Sequence, residues 1–359
     1  MSELDATVPP PMAAGPTDLA GLTPDELSTL VQQFGGKGFQ GRQLFRWIHR
    51  KGITDFSAMT TLPKALRAAL AERTRISTPE VVRKDVSADG TTKLLLRLDD
   101  GRQIEAVFIP DTPAQTFCIS TQVGCAMKCG FCLTGTMGLA RHLTAAEIAG
   151  QVRVLARELD FLDTPFNIVV MGMGEPLHNY DATMKALQLV GSEDGLHVSP
   201  RRVTLSTVGV LPGLEKLAQE AYMPNLAISL HATTEAQRDL LVPINRKYSL
   251  AQLMDACRKF PLKKRSRITF EYVLLAGVND TVEDARRLVR LLNGLKAKVN
   301  LLPLNEAPGI PYSRPSDERV DAFAQVLANA HITVSVRKSR GRDIRAACGQ
   351  LAVEKALPA

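Results

Sequence analysis

The chain reads as an α/β protein: a partial (β/α)6-type barrel with a small N-terminal helical domain and a β-hairpin extension. Three observations predict this. Seven short apolar segments, rich in β-branched residues, alternate with amphipathic stretches between residues 116 and 336. Such repetition implies parallel strands joined by crossover helices. Residues of chemical character fall just after those strands, as they do at the C-terminal mouth of a β/α barrel. Finally, the first strand runs directly into a loop with three closely spaced cysteines, Cys125, Cys129 and Cys132, where an active-site loop belongs.

In chain order, residues 1–20 are rich in Pro, Ala and Gly without hydrophobic period and read as a disordered tail. Thr23-Pro24-Asp25-Glu26 is an N-cap followed by proline at the first helical position, opening a helix that stops at Gly35-Gly36. Helices near 41–51 and 63–76 complete a helical unit over residues 21–80. Its surface carries Lys37, Arg42, Arg46, Arg50 and Lys51 beside Phe39, Phe45 and Trp47, a pattern that fits a solvated face and RNA contact equally. Residues 81–112 form the hairpin: Leu94–Leu98 and Ile104–Phe108 flank an Asp99-Asp100-Gly101 turn. The barrel then occupies 113–350, with strands near 116–121, 167–171, 202–206, 226–230, 268–275, 297–303 and 332–336. Thr144 with Glu147, and Thr281 with Asp284, have the spacing of capping boxes for two of its helices. Residues 351–359 read as a second tail.

With 359 residues, 45% hydrophobic and 23% charged, the chain can bury a substantial core. Its longest apolar runs, Phe166–Met171 and Tyr272–Ala276, are too short to span a bilayer, and no basic flank with an apolar signal core opens the sequence. A cytoplasmic location is expected. Six cysteines in a chain of this length do not make a secreted disulfide framework, and a reducing compartment keeps cluster ligands as thiols. The net charge of +7 favours a polyanionic partner. Lys263–Arg267 and Arg337–Arg342 are the densest basic runs.

Three thiolates at Cys-x3-Cys-x2-Cys spacing call for a soft metal. Structural zinc normally takes four protein ligands, and no second cysteine pair follows. An iron-sulfur cube fits better, because three cysteines leave one iron open to an outside ligand. The spacing resembles the signature of radical SAM enzymes, in which that iron is chelated by S-adenosylmethionine. Short polar signatures then end the strands: Met171–Pro176, with Gly174 and Glu175; Ser206-Thr207; Ser229-Leu230-His231; and Asn305. The glycines admit a bound amino acid or nucleoside, Glu175 offers an acceptor for an ammonium, and the others offer partners for carboxylate and ribose. Taken singly, each also fits a cap, a turn or a structural histidine. Cys348 stands outside the cluster loop, beside Gly349 and downstream of several cations, and reads either as a reactive thiol or as a small buried hydrophobe. Cys118, with alternating neighbours, fits a core position or the mouth of the site. Cys257 reads as core.

The stretches Cys118–Cys132, Met171–Pro176, Ser229–Ala232 and Ser339–Leu351, in this order, resemble the RlmN/Cfr family of radical SAM RNA methyltransferases, over a span from about residue 20 almost to the C-terminus. The resemblance implies one 4Fe–4S cluster on Cys125, Cys129 and Cys132, and two S-adenosylmethionine molecules per turnover. It implies methylation of adenosine carbon 2 in 23S ribosomal RNA and of the adenosine 3′ to the anticodon in some tRNAs. By the same likeness Cys348 carries the methyl group, Glu105 accepts a proton, and Cys118 resolves a covalent protein–RNA adduct by forming a disulfide with Cys348. Gly174, Glu175, Ser206, Ser229, Leu230, His231 and Asn305 contact S-adenosylmethionine. An electron donor such as flavodoxin and a monomeric state complete the expectation. Thr233 and Glu306 stand where the family commonly has proline. Two alternatives stay open: a Cfr-like carbon 8 methyltransferase, and a non-catalytic RNA-binding iron-sulfur protein.

Overall fold

In the computed structural model, which describes residues 15–110 and 114–352, ten strands form one sheet whose spatial order is the order of the chain. They are β1 (Glu80–Val86), β2 (Thr92–Arg97), β3 (Gln103–Ile109), β4 (Thr116–Cys118), β5 (Asn167–Val170), β6 (Val203–Thr207), β7 (Asn225–Ser229), β8 (Ile268–Leu274), β9 (Ala297–Pro303) and β10 (Thr333–Val336). Strands β1 to β4 pair antiparallel. From β4 to β10 every pairing is parallel. A doubly wound sheet would reverse its strand order at a switch point. This one never reverses, so the parallel strands curve as a barrel wall. It stays open, because β1 and β10 are the two ends of the sheet.

Residues along each strand alternate between two environments, as the pleat requires. Phe117, Ile168, Leu205, Ile228, Phe270, Tyr272 and Leu301 are buried in the hydrophobic core. Their neighbours Cys118, Val169, Ser206, Ser229, Thr269, Glu271, Val273 and Asn300 line a cavity on the other face. The crossover helices begin where the sequence says they should. Thr144 and Glu147 form a reciprocal capping box on the helix Ala145–Glu158, and Thr281 and Asp284 do the same for Val282–Leu292.

Before the barrel lie the helices Pro24–Gln33, Gly38–Phe45 and Lys64–Arg73. The first carries the expected cap on Thr23. Three sequence expectations need correcting. Residues 1–14 of the supposed tail lie outside the described residues, but Thr17-Asp18 pairs in parallel with Thr74-Arg75, and Leu19 and Ala20 are fully buried beside the helix Ala145–Glu158. The hairpin is a three-stranded meander, because β1 adds to its edge. Residues 351 and 352 are packed: the Thr134 hydroxyl donates to the Leu351 carbonyl at 2.6 Å, and Ala352 N–H donates to the Glu105 carboxylate at 2.9 Å. Residues 353–359 lie outside the described residues.

Candidate active site

A cavity of about 430 Å³ opens along the inner face of the parallel strands. Cys118, Cys125, Cys129, Cys132, Gly174, Glu175, Ser206, Ser229, His231, Asn305 and Cys348 all line it. Two residues named from the sequence do not. Leu230 is fully buried, its N–H donating to the Glu271 carbonyl at 3.0 Å, so it contributes backbone and core packing rather than cavity wall. Glu105 sits on β3 and is held by Lys93 at 2.9 Å and by the Ala352 N–H.

The cysteine loop leaves a short hairpin made by Gln122–Gly124 and Leu139–His142. Gly124 has φ +79°, and a Cβ there would stand 1.9 Å from the Gly138 carbonyl oxygen, so only glycine permits this closure. Cys125 N–H donates to that same carbonyl at 2.9 Å, and Gly130 N–H to Leu241 O at 3.2 Å, which fixes both ends of the loop. Cys132 lies close enough to Cys125 and Cys129 to raise the pKa of both, and Cys125 adds to the effect on Cys129. Burial pushes Cys125 up to about 12 and raises Cys129 well above the ordinary thiol value. A bound metal displaces such protons, because thiolate is the ligand form. Among the described residues, no three His, Cys, Asp or Glu side chains converge closely enough to hold a single metal ion. A cube places each thiolate on its own iron and makes no such demand, so this donor set fits an iron-sulfur cluster.

The strand ends beside the loop fit a polar ligand. The Glu175 carboxylate accepts N–H groups from Leu177 at 3.0 Å and Val208 at 2.9 Å and a hydrogen bond from the Thr207 side chain, and still keeps acceptor capacity for a ligand. Burial raises its pKa to about 7, against those hydrogen bonds. Its own N–H donates to Gln122. Gly174, at φ +108°, has no room for a Cβ beside Gln122 and Thr121. The hydroxyls of Ser206 and Ser229 share a hydrogen bond of 3.2 Å. His231 accepts the Val273 N–H on Nδ1 at 3.0 Å, and burial lowers its pKa to about 3. Most telling is Asn305, whose Oδ1 is buried and finds no hydrogen-bond partner among the described residues. A buried acceptor left open in a cavity wall points to an incoming donor.

Cys348 reaches this site from the far end of the chain. The carbonyl of Cys348 accepts from Asn305 Nδ2 at 3.2 Å, and that of Gly349 accepts from Leu133 N–H at 2.8 Å. The Cys348–Gly349 loop is thus tied to the cysteine loop. Cys348 is surrounded by protein yet keeps exposed surface, because that surface belongs to the cavity. Its thiol is near enough to Cys118 and Cys132 for their charges to interact. Burial raises the pKa of Cys118 far above the ordinary thiol value and lifts that of Cys348 as well.

Sequence reasoning missed the residues that brace the wall. Arg238 is almost completely buried and donates to the carbonyls of Val208 at 2.6 Å and Leu230 at 3.3 Å. Burial lowers its pKa to about 10, against the nearby Cys129 and Glu235. Asn279 bonds the carbonyls of His231 and Val273, both at 2.7 Å, and the Leu275 N–H at 2.8 Å. Glu271 and Asn300 add a hydrogen-bonded pair beside Cys348.

An open β/α barrel with a three-thiol loop at its mouth is the site of a radical SAM enzyme, and residues 119–292 match the Radical SAM superfamily. Residues 17–76 match the Ribosomal RNA large subunit methyltransferase N-terminal domain. The chain is 52% identical over 351 residues to the Dual-specificity RNA methyltransferase RlmN of Anaeromyxobacter sp. (strain Fw109-5), covering 96% of this chain and 93% of that one. It is 51% identical to the protein of that name from Geobacter sulfurreducens, over 93% of this chain and 91% of the other. The crystal structure of a radical SAM methyltransferase from Sphaerobacter thermophilus superposes with a TM-score of 0.89 at 46% identity, covering 94% and 99% of the two chains. The chain belongs to the RlmN family of radical SAM RNA methyltransferases. Membership brings one 4Fe–4S cluster and S-adenosylmethionine.

Proposed function

We propose that this protein methylates carbon 2 of adenosine in 23S ribosomal RNA and of the adenosine 3′ to the anticodon in some tRNAs, with Cys348 as the methyl carrier. One observation carries the reading: Cys348 and Cys118, distant in sequence, line one cavity with Cys125, Cys129 and Cys132. Adenosine carbon 2 is electron-poor and cannot displace a methyl group from a sulfonium as a nucleophile. A sulfur can. Cys348 loses its proton and attacks the methyl of one S-adenosylmethionine; the new S–CH3 bond replaces the sulfonium–CH3 bond, and S-adenosylhomocysteine leaves.

When bound at Cys125, Cys129 and Cys132, the cluster with a second S-adenosylmethionine supplies a hydrogen-abstracting 5′-deoxyadenosyl radical. Glu175, Ser206, Ser229, His231 and Asn305 hold that cofactor by its polar groups, with Gly174 and Leu230 contributing backbone. The S-methyl group of Cys348 gives a hydrogen atom to that radical; the methylene carbon left bonds to adenosine carbon 2, so that Cys348 holds the RNA covalently, and the adduct's unpaired electron returns to the cluster. Glu105 takes the proton that leaves carbon 2, and for this its contact with Ala352 must open. Cys118, as a thiolate, then attacks the sulfur of Cys348; a disulfide forms as the carbon–sulfur bond breaks, the departing carbon takes a proton to become the methyl group, and methylated RNA leaves.

The helical unit at 21–80 adds RNA contact, 81–112 links it to the barrel at 113–350, and the basic runs Lys263–Arg267 and Arg337–Arg342 hold phosphates. A reductant such as flavodoxin supplies the electron, and the protein works as a cytoplasmic monomer. No helix among the described residues is long and apolar enough to cross a membrane. Nucleoside analysis of ribosomal RNA and tRNA from a deletion strain tests the activity. Loss of 2-methyladenosine is expected; its persistence, or loss of 8-methyladenosine instead, overturns the assignment.

A further inference from the structure

The inner wall of the barrel carries a polar pair that the carrier chemistry leaves unused. Glu271 on β8 faces Asn300 on β9 in direct register, and both line the cavity. Asn300 Nδ2 donates to Glu271 Oε1 at 2.8 Å. Glu271 is 8% exposed, and among the described residues the cations that act on its carboxylate are Arg337 and Lys298, in the same wall. Burying a carboxylate without a full set of hydrogen bonds is costly, so a wall that does it is shaped for a ligand.

We propose that Glu271 and Asn300 form the subsite that reads the amino edge of the target adenine, a role that rests on Cys348 being the methyl carrier. The bond between them uses one carboxylate oxygen and one amide hydrogen. What remains is two acceptors, Glu271 Oε2 and Asn300 Oδ1, beside one donor, the second hydrogen of Asn300 Nδ2. Adenine offers the complement: two hydrogens on its 6-amino group beside a ring-nitrogen acceptor. On the ring, N1 and the 6-amino group lie on the edge adjoining carbon 2. A reader beside Cys348 therefore reaches that edge while carbon 2 stays turned toward the carrier sulfur. Glu271 is close enough to Cys348 for their charges to interact.

Hypoxanthine separates this role from a merely structural one. Its carbon 2 is as open as that of adenine, but it carries a carbonyl at position 6 and a hydrogen on N1. It sets oxygen against the carboxylate and a hydrogen against the amide donor. A site that hydrogen-bonds a polar group rejects the analogue lacking it by about 10³-fold or more. Replacing Glu271 by Gln adds a donor where the carbonyl arrives, and Asn300→Ala removes the donor and acceptor from the other half.

The experiment is competition between two RNA hairpins, identical except for adenosine or inosine at the target, with the reconstituted enzyme and nucleoside mass spectrometry. Equilibrium binding of the same labelled hairpins gives the ratio even for a variant that does not turn over. Wild-type enzyme is expected to prefer adenosine strongly, and Glu271→Gln and Asn300→Ala are each expected to shrink the preference at least about tenfold, the worth of a lost hydrogen bond to a charged group. Cluster content and stability cancel within each ratio. A preference unchanged in both variants, whatever happens to their rates, overturns the subsite. Wild-type enzyme that places no methyl group on adenosine carbon 2 overturns the carrier reading itself, a separate failure.

Discussion

Replacing Asn279 by Ala removes three hydrogen bonds at once from a fully buried position. Both amide hydrogens are lost from the carbonyls of His231 and Val273, and Oδ1 from the Leu275 N–H. A neutral hydrogen bond is worth about 0.5–1.5 kcal/mol net, and a buried group left unsatisfied costs about 1–3 kcal/mol. Water can enter from the cavity side to satisfy some of them, so the expected loss is about 3–5 kcal/mol. The carbonyl of His231 is one of those groups, at a residue held at φ +59°, so the cofactor wall should loosen with it. Urea unfolding of cluster-free protein reads the stability, and calorimetric titration of S-adenosylmethionine into cluster-loaded protein reads the wall. Asn279→Asp keeps the bond from Leu275 but turns a carboxylate oxygen toward the two carbonyls in a fully buried place, so it should be at least as unstable as Ala. A loss below about 1 kcal/mol for Ala, with unchanged cofactor affinity, refutes the bracing role.

Cys118→Ala should stop the reaction at the covalent stage, seen as a protein–RNA band on a denaturing gel that persists without reductant; release of methylated RNA at the wild-type rate contradicts the resolving role. Gly124→Ala forces a Cβ against the Gly138 carbonyl at a positive φ, which alone costs about 1–2 kcal/mol. Iron content and visible absorbance per chain should drop after reconstitution, and a full iron load would show that the hairpin does not set the loop. Burial holds the folded-state pKa of His231 at about 3 against 6.5, with Arg238 adding repulsion. Between those values the unfolded chain binds a proton that the folded chain refuses, so this stability is full above pH 6.5 and is lost as pH falls. Going from about pH 7 to about pH 5 should cost about 2 kcal/mol, and His231→Gln should flatten that slope, as read by unfolding at each pH.

Much of the frame was legible because local chemistry and the fold agree. Thr23, Thr144 and Thr281 announce their helices, and each caps as its spacing requires. The parallel strands stand out as apolar runs because their core face is buried, and Ile268–Leu274 is buried along its whole length. Strand β1 did not stand out: Glu80, Arg83, Lys84 and Asp85 give it the charged composition of an exposed edge, which hides the strand pattern. Leu19 and Ala20 sit in a stretch that reads as tail, and the helices Ala145–Glu158 and Tyr180–Gly191 give them a surface to bury against. The thiol trio and Cys348 were visible as motifs. Arg238, Asn279 and the Glu271–Asn300 pair were not, since a polar side chain looks the same in sequence whether it is solvated or bracing a wall. Glu105 shows the reverse limit: it was singled out by resemblance, and the fold turns its carboxylate toward Lys93 and Ala352.

The carrier role of Cys348 is tested most directly by following a labelled methyl group from S-adenosylmethionine in anaerobic, cluster-loaded enzyme, with peptide and nucleoside mass spectrometry at successive times. The label is predicted on the peptide containing Cys348 first, and on adenosine carbon 2 only after it. Label reaching RNA in a Cys348→Ala enzyme, or reaching adenosine without ever appearing on that peptide, would contradict it.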